Sequence, residues 1–465
     1  MKKKYVRWTL WTIASPFILF IILCILIYLP PIQNFLVDKA AVYASEATGM
    51  NISVGRISLS FPLNLVVTNV DAASPHNDTL LSVRRLQVNV QLLPLLKKQV
   101  EVDGISLQGA TVNSNDLIHG MKLNGTLGEL FISSHGVALD PETAIVNKVL
   151  LKDTDLSLCL NDTAAADTAA SDTTYWKIIL QDIDLQNVSF ALDMPLDSLS
   201  LAASLDNAIL RDGLIDLHKS AYSLQTFRIE NGRVRYDNGK PLAADSLSSG
   251  LDPSHIALTD IGVKLDSLYY GGRNMKAIIS QFVLKERSGV EIVSATGRMV
   301  SNDKVLRVPS LKLETRDSYL ELNAAMDWNA LDFKDEGLVS ARLMADIGKP
   351  DVVRFMGSMD EKFIRQYPSE PLRIRTGIDG DLNKLKLTTL TAELPGALGL
   401  FARGELTHLT DSLLRGGDIT LEAETKDLKF VSTLAEGIEI PYGTRLEGKF
   451  TMAGTKMGTD LLLMQ

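Results

Sequence analysis

From Asn51 onward, apolar and polar residues alternate with a period of two over many short runs. Leu86-Gln-Val88-Asn-Val90-Gln-Leu92, Val100-Glu-Val102, Ile105-Ser-Leu107, Ile183-Asp-Leu185, Phe227-Arg-Ile229, Val263-Lys-Leu265 and Leu385-Lys-Leu387 are examples. That period puts the apolar side chains on one side of an extended strand, so each run predicts a strand covered on one face only. The runs are cut by Asp103-Gly104, Asn231-Gly232, Gly271-Gly272, Asp379-Gly380 and Gly416-Gly417, which predict turns between neighbouring strands. The stretch from Leu311 to Leu322 reads as a hairpin. Residues 100–112 (VEVDGISLQGATV), 180–192 (LQDIDLQNVSFAL) and 224–237 (LQTFRIENGRVRYD) repeat one order: alternating strand, short Asn/Gly break, alternating strand. An all-β meander built as an elongated stack is the expected architecture.

The N-terminal residues follow other patterns. Residues 8–29, WTLWTIASPFILFIILCILIYL, hold no charge, and at about 1.5 Å per residue they reach roughly 33 Å, enough for a hydrocarbon core of about 30 Å. Lys2, Lys3, Lys4 and Arg7 precede this run, whereas Asp38 and Lys39 nearly balance after it, which predicts a cytoplasmic N-terminus. A cleaved signal peptide is disfavoured by the length of the run and its Tyr28-Leu29-Pro30-Pro31 ending. Next, Ile32, Phe35, Leu36, Lys39, Ala40 and Tyr43 fall at helical spacing, with Gly49 placed as a helix-ending glycine. The expected organisation is a cytoplasmic tail over 1–7, a transmembrane helix over 8–29 and an amphipathic helix over 32–49. A β region follows over 50–160, then a low-complexity loop over 161–174. An elongated repetitive β region over 175–465 is expected to continue beyond the chain end. Two later segments look helical, Asp351 to Tyr367 and Asp427 to Leu434, and are expected to be covers on a sheet edge or end or strand crossovers.

Composition narrows the function. A net charge of −9 without clustered Lys/Arg beyond the first seven residues excludes a nucleic-acid partner. Of the two cysteines, Cys24 lies in the apolar span, so Cys159 has no disulfide partner in the exported part and reads as a small strand side chain. The six histidines are scattered, and no phosphate loop, nucleophile elbow or zinc signature occurs. The pairs Asp153/Asp155 and Asp182/Asp184 fit a solvated strand face better than a catalytic dyad. No enzyme activity, cofactor or metal is expected.

The loop 161–174 carries Asp-Thr-Ala or Asp-Thr-Thr at Thr163, Thr168 and Thr173, while Asp-Ser-Leu or Asp-Thr-Leu recurs at Thr79, Ser198, Ser246, Ser267 and Ser412. These resemble the Asp-Ser/Thr-aliphatic O-glycosylation sequon of exported proteins in some Gram-negative bacteria. Thr163, Thr168 and Thr173 are therefore candidate modification sites.

Three stretches in order, Val54-Gly-Arg-Ile-Ser-Leu-Ser-Phe61-Pro-Leu-Asn-Leu65, Thr79 to Leu96 with its Leu92-Leu-Pro-Leu-Leu96, and Val100 to Val112, resemble the AsmA-like superfamily. Within it, the likeness is to the N-terminal region of TamB-type translocation and assembly module proteins. It covers residues 1–112 well and the rest in style. The resemblance implies a mainly β protein: an N-terminal transmembrane helix and amphipathic helix, then an elongated sheet folded into a trough (β-taco, solenoid-like) with a few short covering helices. It implies anchorage in the inner membrane of a Gram-negative bacterium with the bulk periplasmic, phospholipids as cargo, and an outer-membrane barrel protein of the assembly-factor type as partner. TamB-type chains are much longer and end in a C-terminal domain not visible here, so a fragment of a longer protein is expected, with a shorter AsmA-like relative as the alternative. Candidate lining residues of the apolar groove are Leu86, Val88, Val90, Val102, Ile105, Leu107, Leu185, Phe190, Phe227 and Ile229. The alternatives are a non-conducting scaffold acting through strand-edge pairing and a surface adhesin, the latter disfavoured by an aromatic content of 6%.

Overall fold

A computed structural model describes residues 49–60, 64–74, 79–91, 102–114, 121–138, 142–161, 175–239, 250–334, 337–356, 361–433 and 442–464, with scattered positions between 39 and 46. The expected span 8–29, most of the amphipathic helix 32–49 and Thr163, Thr168 and Thr173 lie outside the described residues. Among the described residues, no helix is long and apolar enough to cross a membrane. The protein is mainly β, with 22 strands assigned to one mixed sheet and few helices. It divides into two compact units, Met1–Asp197 and Ser198–Gln465.

The first unit holds β1 (Asn51–Ser60), β2 (Asn64–Ala73), β3 (Thr79–Val90), β4 (Val102–Asn113), β5 (Met121–Ala138), β6 (Thr143–Leu160) and β7 (Lys177–Met194). Each pairs with the next, antiparallel from β1 to β6. The meander expectation fails at the last step, because β6 and β7 run parallel, Thr143 opposite Lys177 and Cys159 opposite Asp193. A parallel pair needs a crossover rather than a tight turn, and the low-complexity run lies in that connection.

One line across this unit breaks the alternation in every strand. The paired register skips Gly55, Asn69, Arg84, Gly109, Gly128, Asp153 and Asn187, while the pairs on either side stay aligned. Asn69, Gly109, Asp153 and Asn187 have left-handed backbones, with φ between 49° and 63°. A single left-handed residue turns the strand and shifts its pleat by one position. Because all seven strands shift together, the register survives the crease. The short polar residues Asn and Asp tolerate this conformation, and Asn187 Nδ2 donates to Asp153 Oδ1 at 2.9 Å. At Gly128 a Cβ would come within 2.8 Å of the Asp153 Cβ, so only glycine fits.

The second unit holds β8 (Leu199–Asp216), β9 (Ala221–Leu224), β10 (Thr226–Asp237), β11 (His255–Gly271), β12 (Asn274–Glu286), β13 (Glu291–Ser301), β14 (Val305–Thr315), β15 (Tyr319–Asp327), β16 (Leu338–Ile347), β17 (Leu372–Asp381), β18 (Lys384–Leu394), β19 (Leu398–Thr407), β20 (Gly416–Thr425), β21 (Arg445–Ala453) and β22 (Lys456–Met464). β9 and β10 lie end to end between β8 and β11. From β10 to β22 the chain is an antiparallel meander, and the expected hairpin is the β14–β15 pair, Leu311 opposite Leu322.

Most of the expected turn signals are not turns. Gly271-Gly272 does join β11 to β12, but Asp103-Gly104, Asn231-Gly232, Asp379-Gly380 and Gly416-Gly417 lie within β4, β10, β17 and β20. Likewise the breaks in the three repeats fall inside β4, β7 and β10, at Gly109, Asn187 and Asn231. A residue suited to positive φ serves a mid-strand crease as well as a hairpin, so composition alone does not separate the two.

The helices are short: α1 (Trp328–Leu331), α2 (Lys349–Phe355) and α3 (Glu361–Gln366), and Val431–Thr433 forms a 3₁₀ turn where two α-helical turns were expected. α2 is anchored by Asp351, which is 1% exposed. Its carboxylate accepts from the Thr315 hydroxyl, from Ser318 Oγ at 2.6 Å and from Arg354 Nη1 at 3.0 Å, tying the helix to the β14–β15 turn. Arg354 also reaches Asp317 at 2.8 Å.

Asn187→Val, which places a branched side chain at positive φ, should lower stability to urea by about 1–2 kcal/mol, whereas Asn187→Gly should leave it nearly unchanged. Asp351→Ala removes the acceptor of two hydroxyls and should cost about 2–3 kcal/mol in the same measurement, with Asp351→Asn costing less.

Candidate functional site

Residues directly opposite one another in a sheet share a face, so the register identifies the side chains that form it. In the first unit Ile57, Val67, Leu86, Leu107, Leu130, Leu151 and Leu185 form one unbroken row across β1 to β7. Two residues along, Leu59, Leu65, Val88, Ile105, Ile132, Val149 and Ile183 form a second. Val90 sits opposite Val102. Across the crease, Val54, Val70, Val83, Ala110, Leu127, Thr154 and Val188 continue the face, followed by a row that holds Leu81, Val112, Leu156 and Phe190.

The step between the rows flanking the crease is three residues, as in Val54 to Ile57 and Leu185 to Val188. Between the other complete rows it is two. Without the crease the apolar residues beyond it would point to the other side. The intervening row is polar throughout: Arg56, Thr68, Arg85, Gln108, Glu129, Lys152 and Gln186. On β3 this polar side is laced together, Arg85 Nη2 donating to Gln87 Oε1 at 3.2 Å and Gln87 Nε2 to Asn89 Oδ1 at 3.1 Å.

Seven strands at about 4.8 Å spacing make each row roughly 29 Å along its contour. The apolar face is only partly covered. Among the described residues of this unit, the fully buried apolar side chains are Ala72, Leu80 and Val83, while Leu86, Val88, Ile105, Leu107 and Leu185 are half-buried and Phe190 is 38% exposed.

Phe227 and Ile229 belong to the second unit. Phe227 lies in a row that runs Leu210, Phe227, Leu265, Ile279, Gly297, Leu311, Leu322, Leu343, Thr376, Leu390, Ala402, Leu421, Gly448, Leu461. Ile229 stands beside Ala208 and Val263 in the next. A crease marks this face too, at Asn231 and Asp260, whose φ values are 54° and 52°. Asn231 donates to Asp206, and Lys285 Nζ reaches Asp260 Oδ2 at 2.7 Å, a bond that holds the Lys285 amine above its ordinary pKa.

Both strand ends of this face carry closed clusters. At one, Phe363 and Tyr367 from α3 and its C-terminal end pack on Leu394, Ala397, Leu428 and Phe430. Burial there pushes the Tyr367 hydroxyl up. At the other, Ala330 of α1 packs on Val339 and Leu382. Between the clusters Leu311, Leu322, Leu343 and Leu390 are half-buried.

Of the sequon positions, Thr79 and Ser412 are exposed, Ser267 is half-buried within β11, and Ser198 follows the 3₁₀ turn Pro195–Asp197 with a φ of 52°. Cys159 is half-buried on β6. Among the described residues no group of His, Cys, Asp or Glu is arranged to hold a metal ion. No family model and no curated protein matches the sequence.

The sequence placed Leu86, Val88, Ile105, Leu107 and Leu185 on the apolar face, but it passed over Ile57, Val67, Leu130, Leu151 and, beyond the crease, every residue except Phe190. The overlooked signal is the single step of three in otherwise alternating strands. Leu394→Ala, in the closed cluster, should cost about 3 kcal/mol, and Leu343→Ala, in the half-buried row, about 1 kcal/mol; chemical denaturation of the two variants compares them.

Proposed function

We propose that this chain is an inner-membrane-anchored periplasmic bridge whose apolar β face forms a trough for phospholipid acyl chains moving between the inner and outer membranes, with a supporting role in outer-membrane protein assembly. One observation carries the proposal: unbroken apolar rows that cross strand after strand yet stay half-buried. A sheet whose apolar face served only as a core would close it, as the rim clusters around Phe363 and Ala330 do locally. Moving a lipid through water exposes its tails at about 0.8 kcal/mol per CH₂, so roughly 30 such groups face a barrier on the order of 20 kcal/mol. A continuous apolar surface lowers that barrier without binding any one tail position tightly. The anchor rests on the uncharged run 8–29 and the basic residues before it. The resemblance to AsmA-like proteins points the same way.

A scaffold that pairs its strand edge with client strands is the second reading.

Photocrosslinking in cells separates the two. A photoreactive residue at Val88, Val102, Leu185 or Phe227 should capture phospholipid, and at Gln87 or Asp184 should not; protein adducts without lipid at the apolar positions would replace the trough by the scaffold.

A further inference from the structure

The opposite face of the second unit carries an unexplained concentration of positive charge. Several arginines on its strands are paired: Arg373 with Glu393, Arg375 with Asp346 and Arg445 with Glu447. Arg298 on β13, Arg307 on β14 and Arg342 on β16 differ. All three are exposed, and none has an ion pair or hydrogen bond among the described residues. In a chain of net charge −9 these cations have been left without counter-charges.

The register puts them on one face. Arg307 is opposite Ala325, which is opposite Ser340; Arg342 is opposite Asn323; Arg298 is opposite Ser310. Leu311, Leu322 and Leu343, the neighbours of Ser310, Asn323 and Arg342 in sequence, lie in the apolar row, so this is the other side of the sheet. Two strand spacings and two residues along β16 separate Arg307 from Arg342 by about 12 Å between Cα atoms, a gap that two arginines close from both sides.

Together they line a groove of about 330 Å³, with Asn323 and Ser340 in its wall and the small residues Pro309, Ala324 and Ala325 beneath. Pro309 sits at a register shift in β14, where a missing N–H costs no ladder bond. The nearest carboxylate along this row, Asp379, opposite Ser340, accepts from Ser340 Oγ at 2.6 Å and does not line the groove.

We propose that this groove binds a phosphate-class oxyanion, held between the guanidinium forks of Arg307 and Arg342 with Asn323 as a further donor. Planar forks pair bidentately with tetrahedral oxyanions, which a lysine point charge does not do. The site stands on the polar face and does not depend on the trough.

The test titrates the full chain, in neutral detergent, with inorganic phosphate and separately with dioctanoyl phosphatidic acid. R307Q/R342Q is compared with K276Q/K304Q, which removes the same charge elsewhere on the second unit. Saturable binding of either probe, weakened at least about tenfold in R307Q/R342Q and unchanged in K276Q/K304Q, is the expected result. R307K/R342K keeps the charge and loses the fork; it should bind weakly, and it carries the test if the glutamine variant does not fold. Preference for phosphate identifies a free anion, and preference for the lipid identifies a headgroup. Equal loss in both glutamine doubles, lipid binding that R307Q/R342Q leaves intact without phosphate binding, or no saturation of the wild-type chain by either probe would overturn the proposal.

Discussion

A sheet that carries continuous apolar rows on one side must keep every strand in phase with its neighbours, and most of this structure follows from that requirement. Slipping one strand by one residue would move its whole apolar set to the solvated face. The crease at Gly55, Asn69, Arg84, Gly109, Gly128, Asp153 and Asn187 meets the requirement while letting the strands turn, because every strand shifts by one at the same place. A bulge in one strand alone would have broken the rows on one side of it.

Burial is distributed accordingly. In the second unit the tightly packed aromatic and aliphatic side chains gather at the strand ends, where α1 and the α2–α3 segment cover the sheet, and the middle of the strands is lined by leucines at partial exposure. The polar network around Asp351 gives one of these covers a fixed seat, since three donors converge on a carboxylate removed from water. The half-buried middle of the face is thus framed by these covers at its ends. That division suits the proposed trough, since a tightly packed middle would leave no room for an acyl chain.

The polar face works by a different rule. Its charged side chains are largely neutralised across neighbouring strands, as Lys449 is by Asp418 and Lys384 by Glu405, and such exposed pairs contribute little to stability. Against that background, the cluster Arg298, Arg307 and Arg342 is a departure that strand pairing does not account for. The two faces of the same strands therefore differ in kind, with apolar rows on one and, on the other, paired charges beside the arginine-lined groove.

Period-two alternation in the sequence was enough to determine that the chain is mainly β and to place Leu86, Val88, Ile105, Leu107 and Leu185 on an apolar face, because side-chain direction in a strand depends only on position along it. The hairpin from Leu311 to Leu322 was legible for the same reason. Tertiary structure alone decided that the Asn/Gly breaks are creases within long strands, that β6 and β7 run parallel, and that Arg307 and Arg342 share a groove. Each of these depends on which strands become neighbours and in what register, and pairing between residues distant in sequence leaves no local mark on either partner.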